Sequence, residues 1–495
     1  MTSRTDLLSL DDDVLWIIVS WLPHHAAAQL ALTSRAVGTA ARRRVLSSLQ
    51  IAAPFASIEF HKFMLEEDDG YRLQCLRRLT INLSSLPPHE LPDGYTPLAD
   101  VLKRARNLQA LVVPSLEQHL ATRNGHVLGD AIAALHDLRE LDLRSVGGKG
   151  LDLCKRLASK PDVLRFQALS TDTEPHTLID RTMLSELNVL QRASTIILHE
   201  FTFVQSDHDR YQPLSPSPLP KSASLWPNAK TLRLKNMDPM PVVALCPNLA
   251  SLYISAVNDG GPFYPDDVHN PYSTIDTLVP EVTTRLRVFD VSVNNDRSDL
   301  SETIDTIFRA SYPRVLSIPY FWESLASVAK HPGSRLRYLD VLFHDHTDLA
   351  QDWLDEYLPM FSNCGILCIR IRLVEFIDDT ITEQEWQSRE DDDWDDWMVG
   401  SEWKELRDAI PNLVLKAVPS LRYVSVSPGY MVQDWNGLDE PAFVGQTRWW
   451  RATSGNSEAG LEDGQATAEL VEIDAGEGQR IDEYMRSEAF QEGSL

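Results

Sequence analysis

The sequence predicts an α/β fold in which a small all-helical module is followed by an irregular solenoid of strand–turn–helix units. Three observations predict this fold: a helical pattern near the N-terminus, a short strand motif that recurs from residue 76 onward, and amphipathic stretches between many of its copies. Parallel strands are expected on the inner face and helices outside. The predicted divisions are a helical module over 8–50, the solenoid over 51–428 and a C-terminal cap with an acidic flexible loop over 429–495.

The helical module begins with LDDDVLWIIVSWLP (10–23). Its apolar residues recur at the i, i+3, i+4 and i+7 spacing of one helix face: Leu15, Ile18, Val19 and Leu22. Asp11–Asp13 favour a helix start because negative charge is stabilised at the positive end of the helix dipole. They also exclude a secretion signal, which needs positive charge before its apolar run. Pro23 ends the helix, and a second amphipathic segment follows through Leu30.

The recurring motif is apolar at positions 1, 4 and 6, which is the alternation of a half-buried strand. Its twelve copies are LRRLTINL at 76, LQALVV at 108, LRELDL at 138, LRFQAL at 164, ASTIIL at 193, AKTLRL at 229, LASLYI at 249, LRVFDV at 286, PRVLSI at 313, LRYLDV at 336, ILCIRI at 366 and LRYVSV at 421. Positions 4 and 6, such as Leu141 and Leu143, are predicted to point into a shared core. The polar residues between these positions, Asp142 and Asp340 among them, are predicted to line the inner face and bind a substrate.

Helices are predicted between the strands wherever apolar residues follow a helical period. The predicted helices cover 96–107, 127–138, 300–311, 321–331 and 349–361. VLSSLQI (45–51) is expected to lead into the first strand. Two strands, in 446–453 and 468–473, and a short helix after them are predicted for the C-terminal cap. An ordinary α/β domain of alternating strands and helices is the alternative to a solenoid.

The negative charge of the chain is concentrated in two segments. The net charge is −26; residues 375–403 contribute −11 of it and residues 434–495 contribute −10. Four tryptophans lie among the carboxylates of the first segment: Trp386, Trp394, Trp397 and Trp403. The first three are candidate substrate-binding residues for a partner with a basic patch, since Trp is enriched at interface hot spots. The alternative is that they pack on neighbouring repeats. No nucleic-acid partner is expected, because binding to its backbone requires clustered Lys and Arg.

Signals for chemistry are few. The chain lacks the glycine-rich, metal-binding and nucleophile motifs of common enzymes, so no catalytic residue, metal or cofactor is predicted. The Cys364–Cys368 pair is expected to lie on a core strand, and His344–Asp345–His346 is interpreted as a solvated turn. Five scattered cysteines are typical of a reducing compartment, which predicts a cytoplasmic or nuclear location. No apolar run is long enough to cross a membrane, and no membrane partner is expected.

The N-terminal stretch resembles an F-box, and the downstream repeats resemble the divergent leucine-rich repeats of fungal-type F-box substrate receptors. The positions that match the F-box pattern and would contact the adaptor are Leu10, Val14, Leu15, Ile18, Leu22, Pro23 and Leu30. The resemblance implies a non-catalytic, substrate-recognition subunit of an SCF-type cullin–RING E3 ubiquitin ligase. The F-box would bind a Skp-type adaptor and through it a cullin scaffold, while the repeats would hold a protein substrate for ubiquitin-dependent degradation.

Two alternatives remain open at this point. In the first alternative, the apolar residues of the N-terminal module pack only onto the first repeats, as an N-terminal cap. In the second, the chain is a leucine-rich-repeat-like protein-interaction scaffold without a link to ubiquitin.

Overall fold

The fold is described from a computed structural model of the 495-residue chain. All structural statements refer to residues 11–33, 35–52, 56–67, 70–82, 95–169, 178–179, 186–203, 226–235, 237, 239–243, 245–256, 285–293, 307–308, 311–319, 334–344, 347–375, 401–432, 442–444, 447–454 and 468–491. These residues fall into two compact units, which we call unit 1 (up to Pro247) and unit 2 (from Asn248). Both combine parallel strands with helices, so the α/β class predicted from the sequence is confirmed.

Unit 1 begins with three helices, as the helical pattern predicts. They are α1 (Asp12–Ser20), α2 (His24–Thr33) and α3 (Arg35–Ser47). The chain then enters β1 (Ser48–Ile51), the first strand predicted from VLSSLQI. Pro23 lies between α1 and α2. Its carbonyl oxygen accepts a hydrogen bond from the Ala27 N–H in the first turn of α2, at 3.0 Å. A proline at this place costs α2 nothing, because the first N–H groups of a helix have no partner within it.

The rest of unit 1 alternates strands with helices. Its further strands are β2 (Arg78–Ile81), β3 (Ala110–Val113), β4 (Glu140–Val146), β5 (Val163–Ala168), β6 (Leu178–Ile179), β7 (Thr195–His199), β8 (Thr202–Phe203) and β9 (Thr231–Lys235). Its further helices are α4 (Ala56–Leu65), α5 (Tyr71–Cys75), α6 (Tyr95–Arg104), α7 (Leu116–Ala121), α8 (Gly125–Ala133), α9 (Gly148–Arg156) and α10 (Met240–Val243), with a 3-10 helix at Asn188–Gln191. Strands β1, β2, β3, β4, β5, β7 and β9 pair in parallel in that order, and β6 pairs with β8 in parallel.

The strand motif explains which face of this sheet is buried. Leu141 and Leu143 of β4 are fully buried, as predicted, and Leu141 is in register with Leu111 of β3 and Leu164 of β5. Because alternate residues of a strand point to opposite faces, Asp142 lies on the opposite, polar face. A repeating backbone contact fixes the start of β3, β4, β5, β7 and β9: the Gln109 carbonyl, for example, accepts from two successive N–H groups at the start of β4.

Unit 2 begins with parallel strands, as unit 1 does, and ends with antiparallel ones. Its strands are β10 (Ser251–Ala256), β11 (Val288–Val293), β12 (Val315–Pro319), β13 (Tyr338–His344), β14 (Cys368–Glu375), β15 (Tyr423–Val432), β16 (Ala442–Val444), β17 (Arg448–Ser454) and β18 (Ala468–Ile473). Its helices are α11 (Thr347–Glu356), α12 (Ser401–Ala417) and α13 (Ala475–Arg486), with a 3-10 helix at Leu358–Phe361. Strands β10 to β15 pair in parallel in sequence order, whereas β15 pairs with both β16 and β17, and β17 with β18, in antiparallel fashion.

Each of the twelve motif copies coincides with a strand, so the strand prediction is confirmed. The copy predicted at 164 is three residues out of register, because Leu164 and Phe166, and not Gln167 and Leu169, are aligned with Leu141 and Leu143 of β4. The helices predicted over 96–107, 127–138 and 349–361 are found as α6, α8, and α11 with its 3-10 extension. The helix predicted over 321–331 lies outside the described residues, as does most of the one over 300–311. In the predicted C-terminal cap, the two strands and the helix are found as β17, β18 and α13.

Helix α13 lies on the strand face of unit 2. The first residues of five parallel strands are in register and form one apolar row: Val288, Val315, Tyr338, Cys368 and Tyr423. Ile481 and Met485 of α13 pack against this row together with Trp449 and Phe490. Asp474 caps the helix by accepting from the Gly476 and Glu477 N–H groups at 2.9 and 3.3 Å. The C-terminal helix therefore covers a face that the sequence predicted to be open to a substrate.

Candidate functional site

The most unusual surface of unit 1 is an apolar stripe on the first helix. Of the nine large apolar side chains that are exposed in the described part of the chain, five lie between residues 14 and 32. Four of them, Val14, Ile17, Ile18 and Trp21, follow the i, i+3, i+4 and i+7 spacing of one helix face. We call these four residues the α1 stripe. Trp21 is 84% exposed and Leu32 of α2 is 89% exposed. Exposed apolar side chains clustered on one helix face are typical of interaction sites.

The opposite side of α1 is the core of the helical module. Leu15 and Val19 are buried, as are residues of the two other helices, and both α1 and α2 contact α3. The buried residues of α2 and α3 are Ala27, Val37 and Ala41. The stripe predicted from the sequence therefore mixes two faces: Ile18 is exposed, whereas Leu15 and Val19 hold the module together. Leu15 is in this structure a core residue and not part of the exposed surface.

Of the remaining predicted adaptor contacts, Leu22 and Pro23 directly follow the α1 stripe in the chain, and Leu30 lies on α2. Leu22 and Leu30 are half-buried and Pro23 is exposed. The Arg44 guanidinium donates to the Leu22 carbonyl oxygen at 3.2 Å, which ties the end of α1 to α3. Val14 belongs to the stripe itself, and Leu10 lies outside the described residues.

Asp142, a predicted substrate contact, lies on the polar face of the unit 1 sheet and is almost completely buried. Its carboxylate forms an ion pair with the Arg144 guanidinium at 3.1 Å and lies 3.8 Å from that of Arg165. The neighbouring His199 is also buried. Burial, followed by the charges of Lys235, Arg165 and Arg144, lowers its pKa to about 3, so this imidazole is neutral at physiological pH. Asp142 therefore neutralises arginines of its own sheet and does not present a free carboxylate.

Asp340 occupies the corresponding position in unit 2 and is also not on an open surface. Its carboxylate accepts from the Arg372 guanidinium at 2.7 Å and from the Arg486 guanidinium at 2.7 Å. Arg486 is the last residue of α13, and it also donates to Asp290 and Asp482. Asp482 accepts in addition from the Tyr338 hydroxyl.

These contacts neutralise the polar row beneath α13 and set the ionisation of Asp340. Burial raises the pKa of Asp340, but the charges of Arg372, Arg370 and Arg486 and the hydrogen bond from Arg372 together lower it by more, so this pKa lies below its usual value. Asp340 is thus ionised and fully paired. The expectation that it contacts a substrate on an open inner face is corrected for this position, because α13 covers it.

Other predicted features carry no chemistry in the described residues. Trp386, Trp394 and Trp397 lie outside them, so their role stays a prediction. Cys368 is a buried core residue of β14, as expected, whereas the expectation for Cys364 is wrong, because Cys364 is half-buried in the turn before that strand. Burial raises the pKa of the Cys368 thiol, as it does for Cys154 and Cys246. These three thiols are therefore protonated at neutral pH and poor nucleophiles. In the part of the chain that the structure describes, no group of three His, Cys, Asp or Glu side chains is arranged to hold a metal ion.

Comparisons with known proteins identify no family for this chain. No protein-family model matches the chain, and a search of curated proteins finds no significant match. Among the helices of the described ranges, none has both the length and the apolar character that crossing a bilayer requires.

Proposed function

We propose that the chain is the substrate-recognition subunit of an SCF-type cullin–RING E3 ubiquitin ligase. The helical module is an F-box that binds a Skp-type adaptor, and the strand repeats are a leucine-rich-repeat-like solenoid that holds a protein substrate. Such a subunit supplies no covalent chemistry. It raises the effective concentration of the substrate near the ubiquitin-charged enzyme.

The α1 stripe is the observation that carries this proposal. A helix that served only as an N-terminal cap would bury all its apolar residues. Leu15 and Val19 are indeed buried, in the core of the helical module. Val14, Ile17, Ile18 and Trp21 instead face solvent, on the segment that resembles an F-box. Exposed aromatic and aliphatic anchors on one helix face are suited to a groove on a partner protein.

The cysteines are consistent with the location that this function needs. All five are free, and none forms a disulfide. Free thiols are typical of the reducing cytoplasm and nucleus, where SCF-type ligases act.

Substitution within the stripe tests the proposal. Trp21→Ala and Ile17→Ser should each weaken binding of the full-length chain to a purified Skp-type adaptor by about 30- to 1000-fold, because truncating a buried anchor typically costs about 2–4 kcal/mol. Ile58→Ser is the matched control, since Ile58 is 41% exposed on α4 of the same unit. Leu22 and Pro23 are less suitable targets, because Leu22 is half-buried and Pro23 fixes the backbone between α1 and α2, so their substitution would also disturb the module itself.

The outcomes separate the candidate functions. Binding that is lost in both stripe variants and kept in Ile58→Ser supports the ligase subunit. A wild-type chain that does not bind the adaptor, while retaining other protein partners, would favour the scaffold without a ubiquitin link.

A further inference from the structure

Unit 2 carries a cluster of arginines at the edge where its parallel strands begin. Val288 of β11 is in register with Val315 of β12, and Val315 with Tyr338 of β13. Each of these three residues is directly preceded by an arginine, and Arg287, Arg314 and Arg337 therefore form a column across the strands. Arg285 and Arg335 lie two residues before Arg287 and Arg337. We call this cluster the arginine edge: Arg285, Arg287, Arg314, Arg335 and Arg337.

The backbone holds the column in place. The Arg314 N–H donates to the Arg287 carbonyl at 2.8 Å, and the Arg337 N–H donates to the Arg314 carbonyl at 2.8 Å. Neighbouring strands of a sheet lie about 4.8 Å apart, so the three arginines of the column span about 10 Å. The cluster is invisible in the linear sequence because its members come from different repeats.

Four guanidiniums of this edge donate hydrogen bonds to neutral oxygens. Arg285 donates to the Asn248 side chain, Arg287 to the Ser487 carbonyl (2.6 Å), Arg335 to the Ser311 carbonyl (2.9 Å) and Arg337 to the Cys364 carbonyl (3.2 Å). The guanidinium of Arg314, in the middle of the column, makes no hydrogen bond and no ion pair with any described residue. Glu488 is the one described carboxylate whose charge acts on Arg287.

The electrostatics show that the positive charges repel one another. Burial lowers the pKa of Arg287 and of Arg335, and the charge of Arg314 lowers both further. Glu488 raises the pKa of Arg287 again, but by less than these two effects lower it. An anion bound at this edge would relieve the repulsion.

We infer that the arginine edge binds an anionic segment of a partner protein, either a short run of Asp and Glu or a phosphorylated residue within such a segment. Guanidiniums form paired, charge-assisted hydrogen bonds with carboxylates and phosphates. A span of about 10 Å fits roughly three residues of an extended peptide. The net charge of −26 disfavours a long polyanion such as a nucleic acid. That the segment belongs to a ubiquitylation substrate rests on the proposed function; the binding itself does not.

Fluorescence anisotropy on the full-length chain tests this inference. The probes are fluorescein-labelled hexaglutamate, a phosphoserine-centred hexapeptide and hexaserine, all at low ionic strength. Both anionic probes should bind more tightly than hexaserine. Arg314→Gln should weaken their binding by about ten-fold or more, the effect of losing one charge-assisted contact. Arg156→Gln, which removes an exposed arginine of unit 1 paired with Asp130, should leave binding unchanged.

The remaining outcomes are equally decisive. The inference would be overturned if Arg314→Gln and Arg156→Gln bound hexaglutamate equally tightly. It would also be overturned if the wild-type chain bound the anionic probes no more tightly than hexaserine. Binding of labelled hexathymidylate ten-fold more tightly than hexaglutamate would assign the edge to nucleic acid instead. Arg314→Gln should not lower the thermal midpoint, because the substitution keeps the backbone hydrogen bonds and the Arg314 guanidinium bonds to no described residue. A loss of probe binding therefore cannot be ascribed to unfolding. Adaptor binding by the same variant reports on the proposed function separately, and it should be unchanged.

Discussion

Removal of the charge of Asp340 should loosen the C-terminal helix. The Asp340→Asn substitution takes a carboxylate away from two guanidiniums, those of Arg372 and Arg486, each of which donates to it at 2.7 Å. Breaking a buried ion pair costs about 3–5 kcal/mol, because the remaining charge stays buried without compensation. Arg486 retains Asp290 and Asp482 as partners, so we expect the lower limit, about 3 kcal/mol.

Hydrogen exchange of the α13 amides measures this loss where it should occur. A destabilisation of about 3 kcal/mol corresponds to about 100-fold faster exchange over 475–486, provided that these amides exchange by opening of the helix. A double-mutant cycle with Arg486→Met should give a coupling energy of about 1–3 kcal/mol. Asp130→Asn serves as the control, because its exposed pair with Arg156 contributes at most about 1 kcal/mol.

The pH dependence supplies a second test of the same network. The folded-state pKa of Asp340 lies below the ordinary value, so its ionisation stabilises the fold above pH about 4, and this contribution is lost as the pH falls through the folded-state pKa. The Asn variant should lack this part of the acid sensitivity. An exchange rate of α13 that changes less than five-fold in Asp340→Asn would refute the reasoning.

Three further predictions follow from buried contacts. Glu117→Gln should lower the free energy of unfolding by about 1–2 kcal/mol, since the Glu117 carboxylate accepts from the backbone N–H groups of Gly147, Lys149 and Gly150 at the start of α9; urea titration measures it, and no change would contradict this cap. Gly478→Ala should destabilise α13 by about 3 kcal/mol, because a Cβ there would lie 2.1 Å from the Trp449 ring; a gain in thermal midpoint, as for an exposed helical glycine, would contradict the packing. Burial lowers the pKa of His119 to about 4, so burial of the neutral imidazole stabilises the fold fully above pH about 6.5, and about 3 kcal/mol of the free energy of unfolding is lost as the pH falls to about 4. His119→Phe should flatten this part of the dependence of the unfolding free energy on pH, as measured by urea titration. An unchanged slope would contradict the assignment.

The strands could be predicted from the sequence because each carries its own local signal. Leu141 and Leu143 alternate with Asp142, and this alternation alone assigns the first two to the core and the third to the polar face. The helical module was also predictable, but its exposed face was not. Ile18 and Leu15 are equally apolar, and only the packing of α1 against α3 shows that Leu15 is inside and Ile18 outside.

The contacts made by the C-terminal helix could not be predicted. Its helical period is visible in the sequence, yet nothing local indicates that Arg486 will pair with Asp340, 146 residues away. The arginine edge has the same origin, because Arg287, Arg314 and Arg337 meet only through the register of the parallel strands. Long-range register decides both features, and register follows from the folded sheet.

Site-specific photo-crosslinking tests the central claim, that the α1 stripe binds the adaptor, most directly. A photoreactive phenylalanine analogue would replace Trp21 in one variant and Ile58 in another, and each full-length chain would be irradiated with the purified Skp-type adaptor. The account predicts a crosslinked product with the adaptor for the Trp21 position and none for the Ile58 position. Equal crosslinking at both positions, or a product only at Ile58, would contradict it.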